Sequence, residues 1–136
     1  MSYPLTDIDG IDGVAAAILK TVGVRSTRGL LEAARTVRGR KMLAIKTGFE
    51  EKQLLAWANV ADLMRVKGIR REYAGLLQAA GVETVKDLKY RNPGNLAKAI
   101  AEANKKRKMV TMLPSQKVVG HWIENAKKLQ LKITYK

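Results

Sequence analysis

Sliding the chain along itself by 58 positions lays Ile8-Asp9-Gly10-Ile11 on Val66-Lys67-Gly68-Ile69. The match continues without a gap: Ala16 meets Ala74, Ile18-Leu19 meets Leu76-Leu77, Gly23-Val24 meets Gly81-Val82, Ser26 meets Thr84 and Leu30 meets Leu88. Farther on the offset grows by seven, so that Trp57 and Ala61 fall on Trp122 and Ala126, which puts an insertion into the second copy near Lys105-Lys106-Arg107-Lys108. A repeat this long that occurs only twice does not suit the common solenoids and points to two pseudo-symmetric halves sharing one core. The length of 136 residues fits the same reading, a single domain over 1–136 with copies at 8–65 and 66–129 and a tail at 130–136.

Caps and periodicity make the class all-α, with about eight short helices. In each copy an apolar helical stretch, Val14 to Val22 or Arg71 to Ala80, stops at a glycine, Gly23 or Gly81. Such a glycine supplies the left-handed C-terminal cap, and the apolar residue after it, Val24 or Val82, makes the usual hydrophobic contact. Ser26 and Thr84 then stand at N-cap positions, with Asp87 three residues past Thr84 as in a capping box. Asn92-Pro93 and Pro114-Ser115 open two more helices. Leu54, Trp57, Ala61 and Met64 recur at helical spacing, as do Val118, Trp122, Ala126 and Leu129, and both stripes are expected in the core. Residues 129–136, Leu-Gln-Leu-Lys-Ile-Thr-Tyr-Lys, instead alternate apolar and polar as a strand does. This strand-like tail would pair with Tyr3 to Leu5, with a second subunit or with a partner's edge, or else fray.

The pattern apolar-x-Gly-apolar followed by alanine and a leucine pair, carried by Ile8 to Leu19 and again by Val66 to Leu77, resembles the helix-hairpin-helix motif of DNA-binding proteins. The chain as a whole, over roughly residues 8–129 and including Trp122-Ile123-Glu124-Asn125-Ala126-Lys127, resembles a bacterial family of tandem helix-hairpin-helix proteins known as a domain of unknown function. The resemblance implies phosphate binding by backbone amides of a glycine turn, without base readout. Elementary physics agrees: glycine lets backbone approach an anion closely, and the helix after it aims its positive end at the same spot. The familiar motif carries a second glycine two residues after the first, where this chain has Asp12 and Arg70. Glycines in such turns also simply let two helices pack closely.

Charge separates the copies. The chain has 26 Lys and Arg against 12 Asp and Glu, a formal net charge of +14. Up to and including Arg65 there are ten basic and seven acidic residues; beyond it there are sixteen and five, so the halves carry +3 and +11. Asp7, Asp9 and Asp12 flank the first turn and would repel a phosphate, whereas the second offers Lys67, Gly68, Ile69, Arg70 and Arg71. The run Lys105, Lys106, Arg107 and Lys108 is a further candidate for phosphate binding, or else a solvated helix end, and Lys86, Lys89, Arg91, Lys127 and Lys128 add to the field.

Other chemistries find little support. There is no cysteine and one histidine, His121, so no nucleophile pair or metal set can be assembled around them. The three aspartates lack the spaced glutamate of a calcium loop and suit caps and turns better. A helix-turn-helix over Leu43 to Val60 would open its reading helix with Glu50-Glu51, which opposes phosphate. Both tryptophans lie on core stripes, leaving no evident platform for unpaired bases. No apolar run approaches the ~20 residues that span a bilayer. With Met1-Ser2-Tyr3-Pro4 offering no charged and apolar leader, a cytoplasmic location is expected. The expected function is therefore sequence-independent binding of nucleic acid, duplex DNA by preference, with no cofactor, metal or enzymatic activity. The alternative is a protein-interaction or assembly module that uses residues 129–136.

Overall fold

The computed structural model describes residues 2–136; Met1, the first residue of the segment read for a leader, lies outside the described residues. Six of the helices begin where a short polar side chain takes an amide that has no partner inside the helix. Asp12 accepts from Ala15 N at 2.8 Å, Ser26 from Gly29 N at 3.2 Å, and Thr36 from Gly39 N at 3.0 Å. In the second half Thr84 accepts from Asp87 N at 2.9 Å, Asn92 from Asn95 N at 3.0 Å and Ser115 from Val118 N at 3.2 Å. The result, among the described residues, is eight α-helices: α1 Gly13–Thr21, α2 Thr27–Ala34, α3 Val37–Thr47, α4 Glu51–Leu63, α5 Arg71–Ala79, α6 Val85–Lys89, α7 Pro93–Arg107 and α8 Gln116–Lys127. The capping box at Thr84 is half formed, because the Asp87 carboxylate turns to Arg91 instead, at 3.1 Å.

The two glycine stops have matching geometry. Gly23 and Gly81 have φ of 87° and 96°, and the residue after each donates back along the helix, Val24 N to Leu19 O at 3.0 Å and Val82 N to Leu77 O at 2.9 Å. The candidate phosphate turns match too: Ile11 N bonds Ile8 O and Ile69 N bonds Val66 O, both at 3.0 Å, with Gly10 and Gly68 at φ 95°. They differ in what precedes them. The second turn joins two α-helices, α4 and α5, whereas the first comes after only a 3-10 turn at Leu5–Asp7.

One cluster of buried side chains runs from Leu5 to Ala126. α4 packs against α2 and α3 and touches α5 and α6, while α8 packs against α6 and α7. Leu54, Trp57, Ala61 and Met64 of the first expected stripe are all buried. In the second the face is turned by one position: Val118 is exposed, and Val119, Trp122, Ile123 and Ala126 are buried. Burial of Leu54, Trp57, Ala58 and Val60 also makes α4 a core helix rather than a groove reader. Among the described residues no helix is long and apolar enough to cross a membrane.

The tail corrects the strand expectation. Among the described residues there is no sheet, only an isolated bridge between Pro4 and Ser26, so the Tyr3 to Leu5 segment is engaged with α2's start and not with the tail. Two of the tail's carbonyls accept from arginine side chains of its own chain. Arg65 donates to Gln130 O at 2.9 Å and Arg40 to Thr134 O at 2.7 Å, while Thr134 N donates to Arg35 O at 2.8 Å and Lys132 pairs with Glu32 at 2.8 Å. Arg40 is buried and also donates to Ala34 O at 2.8 Å. Its burial lowers the guanidinium pKa, against the pull of Tyr135 and Glu51.

Candidate nucleic-acid interface

The two glycine turns share a support. A Cβ on Gly68 would lie 2.9 Å from the indole nitrogen of Trp122, and one on Gly10 would lie 3.3 Å from that of Trp57. Each turn therefore rests on its own buried tryptophan, which Tyr73 and Phe49 flank at ring distances of 5.1 Å and 5.0 Å. The glycines have a packing reason to be there as well as a conformational one.

The helix starts beyond the two turns differ in a way that bears on anions. In the first, the Asp12 carboxylate accepts the Ala15 amide, so a negative group of the protein already sits at the positive end of α1. In the second, Arg70 is the N-cap of α5 and provides no side-chain hydrogen bond to it. The first-turn amides of α5 thus have no acceptor from the capping side chain, next to exposed Lys67, Gly68 and Arg70, although the acidic Glu72 lies in that turn. Ile69 does not belong to this surface. Its side chain is fully buried and its amide closes the turn, so it serves the fold.

Three of the expected residues, Lys67, Gly68 and Arg71, are divided between two clefts. Lys67 and Gly68 line one of about 440 Å³ whose other wall is α8, with His121, Trp122, Glu124, Asn125 and Lys128. Asn125 also donates to Lys67 O at 3.5 Å. Arg71 lines a different cleft, about 650 Å³, in company with Asp7, Asp9 and Asp12 of the first turn and Glu72. Its charge is offset there by these carboxylates. Of the residues on this wall, sequence reasoning missed Asn125, while it read His121 only as a lone histidine and Lys128 only as part of the charge field. Their spacing of four and three places them on one stripe of α8 beside Trp122, a signal present in the chain but masked by reading that helix only for its core face.

The basic run forms the last turn of α7 and its C-cap, with all four side chains exposed. Lys108 takes φ 48°, and Asn104 holds the turn by accepting from Met109 N at 2.9 Å and Val110 N at 3.0 Å. Cations there suit the negative helix end whatever else they bind. α7 is longer than α3, and the connection after it is longer too, 108–115 against 48–50. Met109 lines the same cleft as Arg71, so the run ends beside α5. The aromatic reading also needs amending: Trp57 and Trp122 are buried as expected, yet Tyr90, at the C-cap of α6, is 80% exposed.

Among the described residues no group of three His, Cys, Asp or Glu is placed to hold a metal ion. A profile of the family described as "Domain of unknown function (DUF4332)" matches residues 9–129. The chain belongs to this family. No curated protein and no solved structure matches it.

Proposed function

We propose that this DUF4332 chain is a tandem helix-hairpin-helix protein of the cytoplasm that binds duplex nucleic acid, DNA in the first instance, through backbone phosphates and without reading sequence. The observation that carries the reading is the contrast in caps. The anion position at the start of α1 is filled by Asp12, and the matching position at the start of α5 has Arg70 and no side-chain acceptor. A phosphate oxygen there would meet helix amides, the macrodipole and the ammonium of Lys67 together. His121 and Lys128 extend the cationic wall, and the ordered run Lys105 to Lys108 offers a second set of phosphate ligands. The first turn serves as the structural twin.

Phosphate-driven binding depends steeply on salt, with log K falling by about 0.9 per log unit of salt for each phosphate engaged. Changing Lys67, Arg70 and Arg71 together to Glu should abolish binding to random duplex DNA at low salt. Unaltered affinity in that variant would show that the site is elsewhere. A second reading, an assembly module, gains support from Ile45 and Met42, 85% and 49% exposed one turn apart on α3. Under it, Ile45→Lys would lower the mass measured in solution; the docked tail, held by its own chain, gives that reading no separate support.

A further inference from the structure

Val85 and Leu88 of α6 are fully buried, and they pin the short helix so that the residue at its end, Tyr90, projects 80% exposed. Tyr90 lines a cleft of about 570 Å³ with Lys89, Arg91 and Lys127. No carboxylate is in that lining, unlike the clefts beside either glycine turn. Arg91 is held in place: Nε and Nη2 reach the Asp87 carboxylate at 3.1 Å and Nη2 also donates to Gly81 O at 2.9 Å. Lys127 pairs with Glu124 at 3.1 Å, but both side chains are more than half exposed, and such pairs yield readily to a better anion. An open phenol face bordered by two flexible ammonium side chains and one fixed guanidinium suits a planar ring that carries a negative charge beside it. An unpaired nucleobase with its phosphate is such a group, because every base has a π-face and its own anion.

The position of this cleft adds to the argument. α8 ends with Lys127 on the Tyr90 side, and the next residue, Lys128, lines the cleft with Lys67 and Gly68. Backbone leaving a duplex phosphate at the second turn would thus reach the phenol by crossing only the end of α8. We infer that the Tyr90 cleft takes an unpaired nucleobase, stacked on the ring with its phosphate held by Lys89 and Lys127, so that the protein prefers duplexes bearing a single-stranded extension. This rests on the duplex-binding reading of the second turn and deepens it.

The test compares, by fluorescence anisotropy at one low salt concentration, a blunt duplex with the same duplex carrying an oligothymidine overhang. The full chain should bind the overhang duplex more tightly. Tyr90→Ala should lose about tenfold on it, the loss of one base stack, and bind the blunt duplex unchanged. Tyr90→Phe should keep the preference. Because the ring is exposed, far-UV circular dichroism of both variants should match the parent. No preference in the parent, an equal loss on both duplexes, or Tyr90→Phe behaving as Tyr90→Ala would overturn the inference. The two proposals fail separately. Should the joint Lys67→Glu and Arg70→Glu variant keep blunt-duplex affinity while Tyr90→Ala removes the preference, the second turn is the wrong site and the stacking cleft stands.

Discussion

Arg70→Asp should stabilise this protein and weaken its binding to duplex DNA at the same time. By its position in the repeat, the introduced carboxylate falls where Asp12 accepts the Ala15 amide, facing the amide of Tyr73 at the start of α5. An N-cap of this kind contributes about 1 kcal/mol, within a range of roughly 0.5–2, and a negative charge in the first turn adds a few tenths more. At about 2.1 cal/mol/K per residue, unfolding 136 residues carries an entropy of about 0.29 kcal/mol/K, so 1 kcal/mol raises Tm by roughly 3–4 °C. The same change fills the anion position with the protein's own charge and removes a cation. It should therefore weaken duplex binding and reduce the salt slope by about 0.9 for each phosphate no longer engaged. Thermal melts monitored by circular dichroism measure the first effect; anisotropy across a potassium chloride series measures the second. Gain of stability with loss of binding cannot be misfolding, which is why this single change is more informative than the triple reversal. A lower Tm, or an unmoved affinity at low salt, would refute the reasoning that α5 has an open anion position.

The mirror experiment, Asp12→Ala, removes an existing cap and should cost about 1 kcal/mol in thermal melts, leaving duplex affinity untouched. Gly68→Ala should destabilise more than Gly10→Ala in urea titrations, since both force a Cβ into positive φ at about 1–2 kcal/mol and the former also meets Trp122 at 2.9 Å. Truncation after Leu129 should leave the oligomeric state unchanged and cost stability, roughly 1.5–3 kcal/mol for the part-buried charge-assisted bond of Arg40 and less for the exposed one of Arg65; dissociation of an oligomer would contradict the docked tail. Asp62 is buried, and desolvation raises its pKa against the opposing pull of Arg65 at 2.6 Å. A carboxyl raised on folding supports the folded state fully below its unfolded pKa and loses that support as pH rises through the folded value. The parent should accordingly lose stability relative to Asp62→Asn as pH climbs through and just above the usual carboxylate range, and a difference that grows in the other direction would reverse the assignment.

Much of the fold was legible because it depends on residues a few positions apart. The caps at Ser26, Thr84, Asn92 and Ser115 and the glycine stops at Gly23 and Gly81 are local hydrogen-bond arrangements, and they stand where the residue types put them. The larger misreadings involve a distant partner. Val118 and Val119 are equally apolar, and which of them is buried depends on how α8 sits against α6 and α7. The alternating tail has a strand's pattern, yet Arg40 and Arg65, far away in the chain, take the carbonyls that a neighbouring strand would have used. Half of the candidate site was legible in the same sense. The excess of charge in the second copy is a count, but the separation of Arg71 from Lys67 into different clefts is a matter of which elements meet.

The amino-acid order alone thus determined the all-α class, the helix caps, the turn glycines and the unequal division of charge. Each is a property of neighbouring residues or of a sum over them. Tertiary packing decided the rest: that the first turn's aspartates sit in one cleft with Arg71, and that Tyr90 faces solvent among cations. Burial and electrostatic surroundings belong to whatever segments converge on a side chain, and that convergence becomes visible only when the whole chain is folded.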